Sequence, residues 1–173
     1  LRCFFCRLRF ASMGDIQGGE ALIVVGTTRF RVRCGSNGSP SFCVRIFPDK
    51  RAMRAWANTQ NPGKTGQYAK AEASVHSYQR LRLKDGRWRR LPDMGWIVFH
   101  RGHIGAGIVS HEMTHAALYY LQFWRPQLHR RLPTSRKADE VLAWVQGWLV
   151  AQFWWKFYKA NGGEVKATGS YNR

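Results

Sequence analysis

The sequence has few acidic residues. It contains 10 Asp and Glu against 28 Lys and Arg in 173 residues, so its formal net charge is +18 at pH 7. The cationic residues are spread along the chain and are not gathered in one tail. A surface of this kind attracts polyanions, so nucleic acid and anionic membrane surfaces are the partners that the charge favours. Charge alone specifies no binding mode, and an arginine-rich surface that is merely solvated is the alternative.

The sequence also lacks a long hydrophobic run. The most apolar stretch extends from Val141 to Trp155 and contains Gln146 and Gln152. It is shorter than the roughly 18 residues that a membrane-spanning helix needs, which excludes a transmembrane segment there and predicts a buried helix. Near the start, arginines interrupt the apolar stretch LRCFFCRLRF before the core of a signal peptide can form. We therefore expect no export signal and a cytoplasmic location.

Cysteine is scarce. Of the four cysteines, only Cys3 and Cys6 have the close C-x-x-C spacing of a metal or redox site, and the CFFC segment lacks the glycines that shape a zinc knuckle. This argues against a structural zinc site and against a disulfide framework. Reduced, unpaired thiols are expected in a cytosolic protein.

The remaining composition predicts a globular protein. Hydrophobic residues make up 45% of the chain and aromatic residues 14%, which is enough to bury a core in a chain of this length. We expect a disordered extension over residues 1–20, a single domain over residues 21–160 and a flexible tail over residues 161–173.

Alternating apolar residues and turn signals predict β-structure in the first half and helices in the second. The expected β-structure comprises a hairpin over residues 21–34, a third strand over Ser41–Phe47, a second β region over residues 74–83 and a strand over Trp96–Phe99. The expected helices comprise a short one after Asp49, a long one over about 105–124 and another over about 135–158. The predicted fold class is therefore α+β, with a small and mostly antiparallel sheet.

The first long helix carries the motif His111-Glu112-Met113-Thr114-His115. On a helix, residues at i and i+4 lie on one face, so both histidines can bind one metal ion. Zinc accepts imidazole and carboxylate ligands in a tetrahedron and leaves one position for water, from which Glu112 can take a proton as general base. The motif predicts a zinc-dependent peptidase, with a partly exposed helix whose histidines only form hydrogen bonds as the alternative.

A third protein ligand is needed. Leu118 and Leu121 occupy the positions where a metzincin has glycine and histidine, so that class is excluded. On the second long helix, a stripe of small residues at Ala143, Gly147 and Ala151 favours close packing on the motif helix, and Glu140 projects within about 20° of that stripe.

Glu140 is therefore the predicted third ligand, and Asp139, roughly 80° from the stripe, is better explained by the helix dipole. His129, in the segment between the two helices, is the alternative ligand.

The segments GIVSHEMTHAAL and ADEVLAWVQGWLV resemble small gluzincin-type metallopeptidases, especially short predicted peptidases of phages and prophages. The resemblance covers about residues 95–155. It implies His111, His115 and Glu140 as zinc ligands and Glu112 as catalytic base, and it supports no particular substrate. By analogy with zincins, we expect Trp96–Phe99 to be an edge strand that binds an extended peptide beside the zinc.

The segment HEMTHAAL is also similar to SprT-like peptidases, which cleave proteins crosslinked to DNA and would suit the basic charge. That family has a third histidine in a His-Gly setting, whereas His129 is followed here by Arg130. The SprT-like class is therefore the alternative, beside a basic nucleic-acid-associated zinc protein without peptidase activity and a purely structural zinc domain.

Two further histidines, His100 and His103, precede the motif helix where an active-site cleft would open. Either could contact substrate or help polarise the oxyanion, with His103 as the first candidate and simple loop positions as the alternative. His76, in the second β region, is expected to be structural.

Overall fold

A computed structural model of the protein describes residues 26–36, 38–60, 70–77, 81–84, 87–132 and 134–162. The predicted extension over residues 1–20, the first strand of the predicted hairpin up to residue 25, and the tail from residue 163 onwards lie outside the described residues. Cys3 and Cys6 also lie outside them, whereas Cys34 and Cys43 carry free thiols.

The protein has an α+β fold, as predicted. Among the described residues, the main sheet contains four strands: β1 (Thr28–Arg33), β2 (Ser41–Phe47), β3 (Ala73–Ser77) and β6 (Asp93–His100). Their order is β1-β2-β6-β3, with β2 and β6 parallel and the other two pairs antiparallel. Strands β4 (Leu81–Lys84) and β5 (Arg87–Arg90) form a separate antiparallel hairpin.

The described residues also form four helices. They are α1 (Lys50–Thr59), α2 (Ala106–Trp124), the short α3 (Pro126–His129) and α4 (Arg136–Ala160). The Asp49 side chain caps α1 by accepting a hydrogen bond of 2.8 Å from the Ala52 backbone N–H. Helix α2 begins after a 3₁₀ turn over Arg101–His103 that directly follows β6.

Helices cover both faces of the main sheet. Successive side chains of a strand point to opposite faces, so each strand supplies buried side chains to both. One face packs on α2 and α4 in the main core, whose buried residues include Phe42, Val44, Ile46, Ile97, Phe99, Met113, Leu149 and Phe153. The other face packs on α1 through a smaller cluster of Phe47, Met53, Trp56, Ala57 and Val98. The motif helix α2 therefore lies directly on the sheet.

Several predicted elements are confirmed, among them the strand Ser41–Phe47, the helix after Asp49 and both long helices. The expectation that Trp96–Phe99 is an edge strand is wrong. This segment belongs to β6, which pairs with both β2 and β3 and is thus an interior strand. Among the described residues, the edges of the main sheet are β1 and β3.

The predicted packing of the small-residue stripe on the motif helix is also wrong. Ala143, Gly147 and Ala151 are exposed. Helix α4 instead buries its larger apolar residues, including Val145, Leu149 and Phe153. Burial of these larger side chains removes more apolar surface from water than close approach along a flat stripe.

No helix in the described part of the chain is long and apolar enough to cross a membrane.

Candidate functional site

The two motif histidines converge on one face of α2. The Nε2 atoms of His111 and His115 lie 3.2 Å apart, and their rings are nearly perpendicular, with an interplanar angle of 83° and centroids 4.7 Å apart. His111 is exposed and His115 is half-buried. Burial and the neighbouring His111 lower the pKa of His115, which favours the neutral imidazole that binds metals.

The glutamate of the motif lies in a different environment. Glu112 is buried, with 7% of its surface exposed. Burial raises the pKa of its carboxyl to about 7, because desolvation penalises the charged form. A carboxyl with a pKa near neutrality can accept and release a proton at physiological pH, as a general base must.

A polar contact joins α2 and α4 beside the motif. The side-chain amide of Gln146 on α4 donates hydrogen bonds to Thr114 Oγ1 at 2.8 Å and to Ser110 Oγ at 3.1 Å. Ser110 and Thr114 lie on the side of α2 that adjoins the histidine face, because they precede the two histidines by one residue each. The histidines consequently lie beside the contact between the helices and remain accessible.

The predicted third ligand lies apart from the histidine pair. Glu140 has a side chain that is 68% exposed and forms an ion pair of 3.6 Å with Arg136 on the preceding turn of α4. On a helical wheel, Glu140 lies about 180° from the buried stripe of α4. The alternative ligand, His129, is half-buried at the end of α3. Neither side chain joins His111 and His115 in a group of three closely spaced ligand atoms.

A second cluster of metal-type ligands lies at the end of β6. Glu72 Oε2 is 3.2 Å from His100 Nε2 and 3.3 Å from His103 Nδ1. Within the described part of the chain, these residues form the group whose three ligand atoms all lie within 4.8 Å of one another. The cluster includes His100 and also His103, the residue predicted to contact substrate. In the structure both histidines contact the carboxylate of Glu72.

Sequence analysis missed Glu72, although His100 and His103 have the spacing of a ligand pair. The register of β3 and β6 explains the contact. Ala73 pairs with Phe99 in this antiparallel ladder, so the preceding Glu72 lies opposite His100, the last residue of β6. Glu72 and His100 are 28 residues apart, so local periodicity does not indicate their contact. Predicting it would have required the order and register of the strands.

Two cationic side chains contact the other carboxylate oxygen of Glu72. Lys50 Nζ donates a hydrogen bond to Glu72 Oε1, and Arg54 Nη2 lies 3.9 Å from the same atom. The hydrogen bond from Lys50, followed by that from His100, lowers the pKa of Glu72 to about 2. Glu72 is therefore a carboxylate at any physiological pH.

Comparison of the chain with models of known protein families, with curated protein sequences and with solved structures finds no match.

Proposed function

We propose that the protein is a zinc-dependent metallopeptidase in which His111 and His115 bind the metal and Glu112 is the general base. The observation that carries this proposal is the 3.2 Å separation of the two Nε2 atoms on the accessible face of α2. Two zinc–nitrogen bonds of about 2.0–2.1 Å at a tetrahedral angle require a separation of about 3.3 Å, so the side chains fit the metal.

Glu112 supplies the acid–base chemistry in this proposal. When bound, zinc polarises a peptide carbonyl and lowers the pKa of water. The Glu112 carboxylate accepts the proton of the attacking water and then donates it to the leaving amine. Its pKa of about 7 suits both transfers, because the carboxylate and the carboxylic acid are both populated at neutral pH.

The proposal retains Glu140 as the third protein ligand and His129 as its alternative. The ion pair of Glu140 with Arg136 is exposed, and a pair of this kind contributes less than about 1 kcal/mol. The ion pair is therefore no obstacle to metal binding, but Glu140 lies on the side of α4 opposite its buried stripe, so it would reach a metal on the histidines only after this part of α4 turned.

The edge strand β3 is the proposed docking site for an extended peptide. It lies at one edge of the described main sheet, next to β6, and it packs against α2. A substrate strand added to this edge would run alongside the motif helix, where main-chain hydrogen bonds can hold it. This replaces Trp96–Phe99 in that role.

The Glu112→Gln variant tests the catalytic assignment. We expect it to retain zinc but to cleave a fluorescently labelled unfolded protein about 10²–10⁴ times more slowly, because the amide cannot accept the proton. The matched control is Asp139→Asn, which also removes one negative charge but at an exposed position of α4. Cleavage by Glu112→Gln at the wild-type rate would reject the peptidase mechanism.

Zinc content tests the ligand set. We expect His111→Ala and Glu140→Ala to lower the zinc affinity of the helix site, and the neighbouring Asp139→Ala to leave it unchanged. If His129→Ala lowers the affinity and Glu140→Ala does not, His129 is the third ligand. Wild-type protein without stoichiometric zinc would overturn the proposal as a whole.

A row of arginines favours a second candidate function, binding of nucleic acid. Arg29, Arg31 and Arg33 are exposed at alternate positions of the edge strand β1, which places them on one face at intervals of roughly 6.6 Å. Arg29 also lies directly opposite Arg45 of β2. Like charges in opposed positions destabilise a sheet, and a bound phosphate backbone would relieve this repulsion.

Fluorescence anisotropy with a labelled DNA duplex tests this second candidate. We expect the Arg29→Gln/Arg31→Gln variant to weaken binding and to reduce the slope of log affinity against log salt by about 2. The control is Arg130→Gln/Arg131→Gln, which removes the same charge from the exposed turn before α4. An equal effect of the two double variants would show that net charge, rather than the strand β1, attracts the DNA.

A further inference from the structure

The cluster of Glu72, His100 and His103 lies at the end of the main sheet and is separate from the motif histidines. Its three ligand atoms belong to the classes that zinc prefers, namely two imidazole nitrogens and one carboxylate oxygen. The separations of 3.2 Å and 3.3 Å from Glu72 Oε2 to the two nitrogens match the spacing of about 3.3 Å expected between ligands of a tetrahedral zinc ion.

We propose that Glu72, His100 and His103 form a second metal site, of the zinc class, in which His100 Nε2, His103 Nδ1 and Glu72 Oε2 are the ligands. Three protein ligands leave one coordination position for water or another small ligand. The site does not depend on the peptidase proposal, because none of its ligands belongs to the motif.

The ligands are held by rigid elements. His100 ends the interior strand β6 and is 7% exposed, so its ring has little freedom. Glu72 immediately precedes β3 and is positioned by the pairing of that strand with β6. His103 ends the 3₁₀ turn and has a side chain that is 51% exposed, which leaves this side of the cluster open to solvent. A preorganised site with one open side is what metal entry requires.

Lys50 and Arg54 orient the carboxylate of this site. They contact Glu72 Oε1 and leave Oε2 to the histidines. Hydrogen bonds to a ligating carboxylate are usual in metal sites, because they fix its rotamer. Their two positive charges also oppose a divalent cation, so we expect weaker zinc binding here than a site without such neighbours would show.

The alternative is a cluster held only by hydrogen bonds, in which the carboxylate accepts from both imidazoles. This alternative needs no metal. It predicts that metal content is independent of all three residues, whereas the proposed site predicts loss of one equivalent of metal when a ligand is removed.

The test uses the full chain with His111→Ala and His115→Ala, so that the motif site is absent. After metal removal by a chelator, zinc is added back by equilibrium dialysis and measured by mass spectrometry. We expect one equivalent of zinc, and the visible absorption bands of tetrahedral cobalt when cobalt replaces it. Adding His103→Ala should abolish both signals, and adding Glu72→Gln should weaken zinc binding about 10-fold or more.

The matched control is Arg101→Ala, which changes an exposed residue of the same turn and should leave binding intact. His103 is half-exposed, and circular dichroism would verify that its replacement preserves the fold. The proposal is overturned if the His111→Ala/His115→Ala protein binds no zinc, or if it still binds one equivalent after His103→Ala. Failure of the peptidase proposal gives a different pattern, in which wild-type metal is lost with His103→Ala and is unaffected by the motif variants.

Discussion

Burial, rather than a neighbouring charge, raises the pKa of Glu112 to about 7. The carboxylate form consequently costs free energy in the folded state unless a metal or substrate offsets it. His111 beside it is exposed and His115 is half-buried, so a buried carboxyl adjoins a more accessible pair of imidazoles. This juxtaposition is the physical basis of the proposal that Glu112 transfers protons and the histidines bind metal.

The pKa of Glu112 predicts how the stability of metal-free protein depends on pH. The folded-state pKa of about 7 exceeds the ordinary value of 4.5, so the unfolded chain releases this proton first as pH rises. The contribution of Glu112 to stability is full below pH 4.5 and is lost between about pH 4.5 and pH 7, a change of about 3 kcal/mol.

The measurement is the free energy of unfolding of chelator-treated protein across this range, compared with Glu112→Gln. The difference between the two proteins should grow in favour of the variant as pH rises. A difference that stays constant from pH 4.5 to pH 7 would show that Glu112 has an ordinary pKa.

At the scale of elements, the contact between α2 and α4 determines which side chains surround the motif. Helix α4 presents large apolar residues to the core and Gln146 to Ser110 and Thr114. Its stripe of small residues consequently faces solvent.

Replacement of Gly147 by alanine tests this orientation of α4. Apart from its chain neighbours and the nearby backbone of α4, no atom lies within 4 Å of the position that a Cβ would occupy at Gly147, which is in mid-helix. Because alanine has the higher helix propensity, we expect Gly147→Ala to raise the free energy of unfolding by about 0.5–1 kcal/mol. If the stripe packed tightly on α2, the same change would destabilise the protein, and chemical denaturation distinguishes the two signs.

Replacement of Gly95 in strand β6 by alanine should have the opposite effect on the free energy of unfolding. It adopts a φ of +128°, and a Cβ there would lie 1.9 Å from the backbone oxygen of His76. The β2–β6 register is irregular next to this residue. We expect Gly95→Ala to disrupt the β3–β6 pairing and to lower the free energy of unfolding by more than about 2 kcal/mol. Zinc binding by the Glu72 cluster should weaken in parallel, because that pairing positions Glu72. Unchanged stability in denaturant titrations would contradict the strained conformation.

At the scale of the whole molecule, repulsion among the excess positive charges destabilises the folded state. With 28 cationic and 10 anionic side chains, repulsion outweighs attraction across the surface. Arg29, Arg31 and Arg33 concentrate this charge on one edge of the sheet. On α4, the exposed Trp144 and Trp148 stack on each other with centroids 6.2 Å apart, so the surface also carries an aromatic patch.

The charge excess predicts that salt stabilises the protein. Raising sodium chloride from about 10 mM to about 300 mM shortens the Debye length from roughly 30 Å to less than 10 Å and screens the repulsion. We expect the melting temperature to rise by about 2–4 °C, corresponding to about 1 kcal/mol. A melting temperature that falls with salt would mean that ion pairs such as those of Glu72 dominate over the repulsion.

Local patterns were sufficient to predict much of the fold. The helix after Asp49, the strand Ser41–Phe47 and both long helices follow from capping residues and apolar periodicity, which act over a few neighbouring residues. Strand β5 shows the limit, because the sequence predicted no strand over Arg87–Arg90.

The sequence by itself determined that His111 and His115 share a face, because helical geometry brings residues at i and i+4 together wherever the helix lies. Only the tertiary structure decided which side of α4 is buried, that Trp96–Phe99 is interior, and that Glu72 meets His100 and His103. These contacts join residues far apart in the chain. They depend on strand order, register and the total apolar area buried, and no local pattern of residues specifies those quantities.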